Sequence, residues 1–279
     1  MRYYALISGL PDLSFEDVKT PYTVENFKQQ LNKILSVSDE KLIYDLFLKY
    51  DNDNLLAFLR HKEEAVFDVK GTFSQEEIAT LIQDIREEKK AYNKKMPPYF
   101  KTFILDFTTG DEALSKLFWE DQLASLYYDY LGNSKNQFVR KWAELNLNIN
   151  NIMIALACRR NGMGHTPYIV GNNEVAHNLR TSNARDFELT GIFEQLEPTR
   201  RIDEEPDLIE KERKIDRLRW TWIDDETFFN YFTIERIIGH LLKLQMIERW
   251  TLLHEDSGQQ LLKEIVNNMR QGALTMKEF

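Results

Sequence analysis

Glu174 and His177 stand three residues apart, a spacing that puts a carboxylate and an imidazole on one helix face, as di-iron bundles require. Such a centre also needs a second Glu-x-x-His pair and two further helical glutamates. His61, His165, His240 and His254 each lack a glutamate three residues before them. His165 and His177, twelve residues apart, could give zinc two ligands, but the single cysteine leaves the rest to carboxylates gathered from afar. Neither a metal site nor another cofactor is expected. Cys158 itself lies in an apolar run and reads as a small buried hydrophobe.

Other catalytic patterns fare no better. "NGMG" at 161–164 and "VGNN" at 170–173 lack the spacing of a phosphate-binding loop and read as turns. No Gly-x-Ser-x-Gly elbow occurs. The chain is therefore expected not to be an enzyme, and its candidate functional residues are ones that could meet a partner. Arg159 with Arg160 ends an apolar segment, where cations favour the helix macrodipole by about 0.3–1 kcal/mol; the rival role for these two, and for Arg200 with Arg201, is docking to an acidic partner. Trp220 and Trp222 point about 200° apart on a helix, so beside the first expectation, burial, stands an exposed interface anchor. Asn148, Asn150 and Asn151 read as amides capping and pinning a helix start.

The elements that must carry these residues are nearly all helical. Only 11 Gly and 7 Pro occur in 279 residues, of which 43% are hydrophobic. Helices are expected over Val24–Leu35, Asp39–Lys49, Leu55–Glu64, Glu112–Leu131, Lys135–Arg160, Val175–Leu179, Glu188–Gln195, Asp207–Trp222, Thr233–His254 and Gln259–Arg270. Another follows Ser74, with Glu77 completing a capping box, Ile78, Leu81, Ile82 and Ile85 on one face, and Pro97–Pro98 as the stop. "RYYALISGLP" and "YFKTFILDFTT" are aromatic and β-branched with partial alternation, and are expected as short strands near the N-terminus and residue 103. Residues 161–185 read as an irregular surface loop, and 197–206 as a solvated, charged connector.

Net charge is −9, distributed as −5, +2 and −6 over residues 1–93, 94–186 and 187–279, so no third has the basic excess that nucleic acid attracts. The longest apolar run, Ile152 to Cys158, falls far short of the roughly 20 residues that span a bilayer. A soluble, unexported, cytoplasmic chain is expected, with no nucleic-acid partner.

Two internal echoes suggest duplication. An offset of 97 lays Asn54 on Asn151, so that "NLLAFL" covers "NIMIAL". An offset of 92 lays "EDQLASLYY" at 120–128 on "ERKIDRLRW" at 212–220. Both are near a third of the chain, which suggests three helical repeats, 1–97, 98–196 and 197–279, each stacking on its neighbours.

"WEDQLASLYYDYL" followed by "FVRKWAELNLNINNIMIALACRRNG" resembles the central-axis subunit of the V/A-type rotary ATPases, designated C in archaea and bacteria and d in eukaryotes. In that family an aspartate-and-asparagine turn opens a helix ending in Arg or Lys; here Asn148 fills the aspartate position. "LIEKERKIDRLRW" and "YFTIERIIGHLLKLQMIERWTLLHEDSG", with Glu248 and Arg249 near the end, resemble it too. More closely, "YYALISGLPDLSF" and "YIVGNNEVAHNLRTSNARDFELTG" resemble a bacterial family of unknown function encoded among V-type ATPase genes. The resemblance implies a mainly α, funnel-like body of three related bundles between the rotor stalk subunits and the membrane proteolipid ring. It also implies a place at the inner membrane face, with membrane contact only through the complex, and no catalytic residue. Two other readings stay open: a free-standing helical protein-binding adaptor, and an enzyme with a pocket at 161–185.

Overall fold

A computed structural model describes residues 3–17, 19–88, 95–110 and 119–254. Among them every regular element is helical. The α-helices are α1 (Tyr4–Ser8), α2 (Val24–Leu31), α3 (Val37–His61), α4 (Gln75–Arg86), α5 (Pro98–Thr109), α6 (Trp119–Gly132), α7 (Gln137–Arg160), α8 (Glu174–Thr181), α9 (Leu196–Asp203), α10 (Leu208–Thr227) and α11 (Ile234–His254).

The chain divides into two compact units, one formed by the described residues up to Glu40 together with those from Arg201 onward, the other by Lys41–Arg200. One division falls inside α3 and the other inside α9. In the first unit α10 packs on α11 and α11 on α2; in the second, α6 packs on α7, α5 on α6 and α7 on α8.

Periodicity explains most of these helices. Along α6, Trp119, Leu123, Tyr127 and Leu131 are buried at intervals of four, the stripe that a 3.6-residue turn lays against a core. On α4 the capping box forms as expected: the Glu77 N–H donates to Ser74 Oγ at 3.2 Å and the Ser74 N–H to Glu77 Oε2 at 3.0 Å. Ile78, Leu81, Ile82 and Ile85 are all buried.

The departures have physical causes. Both expected strands are helices: α1 lies within "RYYALISGLP", and "YFKTFILDFTT" lies within α5. In α5 Pro98 occupies the first turn, where its missing N–H costs nothing, and Tyr99, Phe100, Phe103 and Ile104 are buried at helical rather than alternating spacing. Asp39–Lys49 and Leu55–Glu64 fuse into one helix, α3, because Asp51 and Asn54 turn their side chains to a neighbouring loop instead of breaking their own backbone. Glu188–Gln195 is not helical: Phe187 and Glu188 sit at φ of 55° and 58°, the left-handed region that a helix excludes. Within the connector expected at 197–206 the chain instead forms most of α9, whose inward face carries Leu196, Thr199, Ile202 and Asp203. Helix α4 ends at Arg86, ahead of the prolines. The helix expected over Gln259–Arg270, and the start of the one expected from Glu112, lie outside the described residues.

Phe103 is completely buried, edge-on to Trp119 with ring centroids 5.8 Å apart. Phe103→Ala is expected to cost about 3–5 kcal/mol, read as a lower urea midpoint by circular dichroism.

Candidate functional site

The three asparagines lie well inside α7, not at its start. The helix is capped instead by Asn136, whose side chain accepts from the Val139 N–H at 3.1 Å. Asn151, 1% exposed, uses both ends of its amide on one residue of the following loop: Nδ2 donates to Val170 O at 2.7 Å and Oδ1 accepts from Val170 N at 2.9 Å. Asn148 Oδ1 accepts from Asn173 Nδ2 at 2.8 Å, while Asn173 caps α8 through the Ala176 N–H. Asn150 faces outward and donates to the Tyr128 hydroxyl.

The echo at an offset of 97 has a counterpart in this bonding. Asn54 closes the same two-point clamp on Asp68, with Nδ2 donating to Asp68 O at 3.0 Å and Oδ1 accepting from Asp68 N at 2.7 Å. Asp51, which the offset lays on Asn148, accepts from the Thr72 and Phe73 N–H groups just before Ser74, the cap of α4. A glycine passes close under each clamp. A Cβ at Gly71 would fall on the Asn54 amide and lie 2.9 Å from Asp51 Oδ1; one at Gly171, where φ is +78°, would lie 2.9 Å from Leu147 Cδ2. The offset of 92 lays His240 of α11 on Asn148. His240 Nε2 meets the Tyr22 hydroxyl at 2.6 Å, one residue before Thr23, the cap of α2. Burial, then the charges of Lys243 and Arg236, push the His240 pKa down to about 4, and burial pushes Tyr22 up to about 12.

The cations expected to dock are partly consumed inside the fold. The Arg159 guanidinium donates to Ala184 O and Arg185 O and lies 3.7 Å over the Phe187 ring, so it pins the 182–189 loop. Burial and the charge of Arg200 lower its pKa. Arg160 and Arg201 are exposed, and Arg200 pairs with Glu197 at 2.6 Å. Trp220 is buried, with Phe15 edge-on at 5.5 Å and Lys243 4.5 Å over its ring; Trp222 is half-buried. Glu174 and His177 are exposed on α8, and His165 bonds to Leu179 O.

Two further features were missed in the sequence. Asp216, 2% exposed, gathers Arg219, Arg249 and the Trp250 indole N–H, so that the largely exposed Arg249 side chain is tied at its tip to a buried carboxylate of the first unit. A cavity of about 340 Å³ lies between α1, the segment after it, α10 and α11, with Trp220, Asp224, Arg236, His240 and Lys243 in its wall. An aspartate four residues before a tryptophan on a charged helix gave no signal of either.

Residues 1–273 match a family described as "protein of unknown function (DUF2764)". The chain belongs to that family. No curated protein and no solved structure matches it. No described helix is long and apolar enough to cross a membrane.

Asn151→Ala would leave the Val170 N–H and C=O without partners, each worth about 1–3 kcal/mol. A comparable loss of stability is expected from Asn54→Ala, with faster exchange of the Val170 amide in the first variant and of the Asp68 amide in the second. The depressed pKa of His240 means that the unfolded chain binds more protons between pH 6.5 and about 4. The stability from neutral His240 is thus complete above pH 6.5 and drains away as pH falls towards 4. Thermal melts across this window should show a shallower slope for His240→Gln.

Proposed function

We propose that this chain is a non-catalytic coupling subunit of a V/A-type rotary ATPase, seated between the rotor stalk and the membrane proteolipid ring. The observation that carries the reading is the recurrent grip at Asp51, Asn148 and His240, on three long helices related by offsets of 97 and 92. Each holds the segment entering a short amphipathic helix, and in the third instance that helix is α2, from the start of the chain. Recurrence of one device at a third of the chain length favours a triplicated helical body, which is also what the likeness to the central-axis subunit implies.

Such a protein would act through stiffness. Torque passes between stalk and ring only if the body between them does not yield, and close packing with doubly bonded loops supplies that resistance. Polar groups in 161–185 point the same way. Arg180 donates to Ile169 O and Gly171 O, both at 2.7 Å, His165 bonds to Leu179 O, and Asn173 is held by Asn148. Groups spent on internal bonds are poor candidates for an enzyme pocket there. Arg160 and Arg201, both exposed, stand where an acidic partner could reach them.

Affinity purification of the tagged chain from its native cell tests the reading. Co-elution of the catalytic, stalk and proteolipid subunits of a V-type ATPase is expected; a chain recovered without them would refute it.

A further inference from the structure

The cavity of the first unit has a wall that packing alone does not explain. Gly239 brings α11 so close to α10 that a Cβ there would lie 2.9 Å from Ile223 Cγ2, yet about 340 Å³ stays open beside this contact. That volume is at the lower end of the roughly 300–1,000 Å³ of small-molecule sites. Ile7, Leu10 and Leu13, from α1 and the segment after it, line the space and remain only half-buried. Helix α11 contributes Arg236, His240 and Lys243, spaced four and three residues apart and so on one helix face. A face turned towards another helix is ordinarily apolar.

Most of the polar wall is already matched. Lys243 pairs with Asp224 and lies 4.5 Å over the Trp220 ring. His240 meets the Tyr22 hydroxyl, and its pKa of about 4 leaves it neutral in the physiological range. Two charged groups are left over. Arg236 donates one N–H to Thr227 Oγ1 at 3.3 Å, and neither it nor Asp12 has an ion-pair partner among the described residues. Both are exposed, which puts them at the mouth of the cavity.

One unmatched cation, one unmatched anion and an apolar side are complemented by a small zwitterion that carries an apolar group. A phosphate or a dicarboxylate would bring surplus negative charge against Asp12 and Asp224, and a simple amine would leave Arg236 unanswered. We infer that the cavity between α1, α10 and α11 binds a free α-amino acid with an apolar side chain. Its carboxylate pairs with the Arg236 guanidinium, whose fork suits that group, its ammonium with Asp12, and its side chain lies against Ile7, Leu10 and Leu13. The site stands apart from the coupling reading and does not need it.

Calorimetric titration and thermal melts of the full chain test this with L-leucine, L-methionine and L-phenylalanine as probes. Each is compared with the matched acid and amine that lack its ammonium or its carboxylate, 4-methylpentanoate and 3-methylbutylamine in the case of leucine. At least one of the amino acids is expected to bind and to raise the melting temperature. Its acid and its amine should each bind about tenfold or more weakly, the loss of one charge-assisted bond. R236Q should weaken the amino acid by a similar factor without weakening the amine, and D12N should weaken it without weakening the acid. Both residues are exposed, and melting temperatures equal to wild type without ligand will exclude misfolding. L10W, which fills the cavity and leaves its charges in place, should abolish binding. The inference is overturned if none of the amino acids binds, if the acid or the amine binds as tightly as its amino acid, or if R236Q, D12N and L10W bind as wild type does. Co-purification with an ATPase reads the coupling role separately, so neither result decides the other.

Discussion

The structure of the second unit depends on a carboxamide closing on a backbone. Residues 161–173 and 62–73 each hold one short 3-10 turn and are otherwise irregular, and partly buried peptide groups in them need partners that no regular element supplies. One asparagine answers both needs of one residue, since its amide presents a donor and an acceptor side by side. Asn151 does this for Val170 and Asn54 for Asp68. An aspartate at either position would accept and could not donate. Where only acceptance is needed, at the Thr72 and Phe73 N–H groups, the chain has Asp51.

Once the loops are fixed, their neighbours follow. Phe187, held under Arg159, closes a core with Ile152, Ala155, Ile169, Val175, Ala176, Leu179, Leu189 and Leu196. Arg159 is thereby committed to the backbone of the 182–189 loop, and its positive charge serves packing as much as any partner. In the first unit Asp216 plays the organising part, holding Arg249 and Trp250 of α11 against α10. The buried polar side chains named here thus hold loop backbone in the second unit and one another in the first, which suits a protein whose effect is exerted through its shape. The α10–α11 turn is the exception, since its aromatic rings contribute little to either core.

Much of this was legible in the amino-acid order. The stripe of α6, the capping box of α4 and the helical class follow from spacing alone, because a helix that buries one face must repeat its apolar residues every three to four positions. The likeness of Asn54 to Asn151 was visible too, though not what the amides do. Asparagine within an apolar run has the same local signature whether it caps a helix or reaches a loop 19 residues on.

What sequence by itself determined is therefore the set of amphipathic segments and the pairs of like residues, for these rest on interactions within a few turns. Tertiary structure decided the rest. It kept α3 whole through "DNDN", made helix of the aromatic segment at 98–109, turned 188–195 out of the helical region and drew α9 from a charged stretch. In each case a contact made far along the chain outweighed a local preference worth well under the cost of an unpartnered buried polar group or an empty core site.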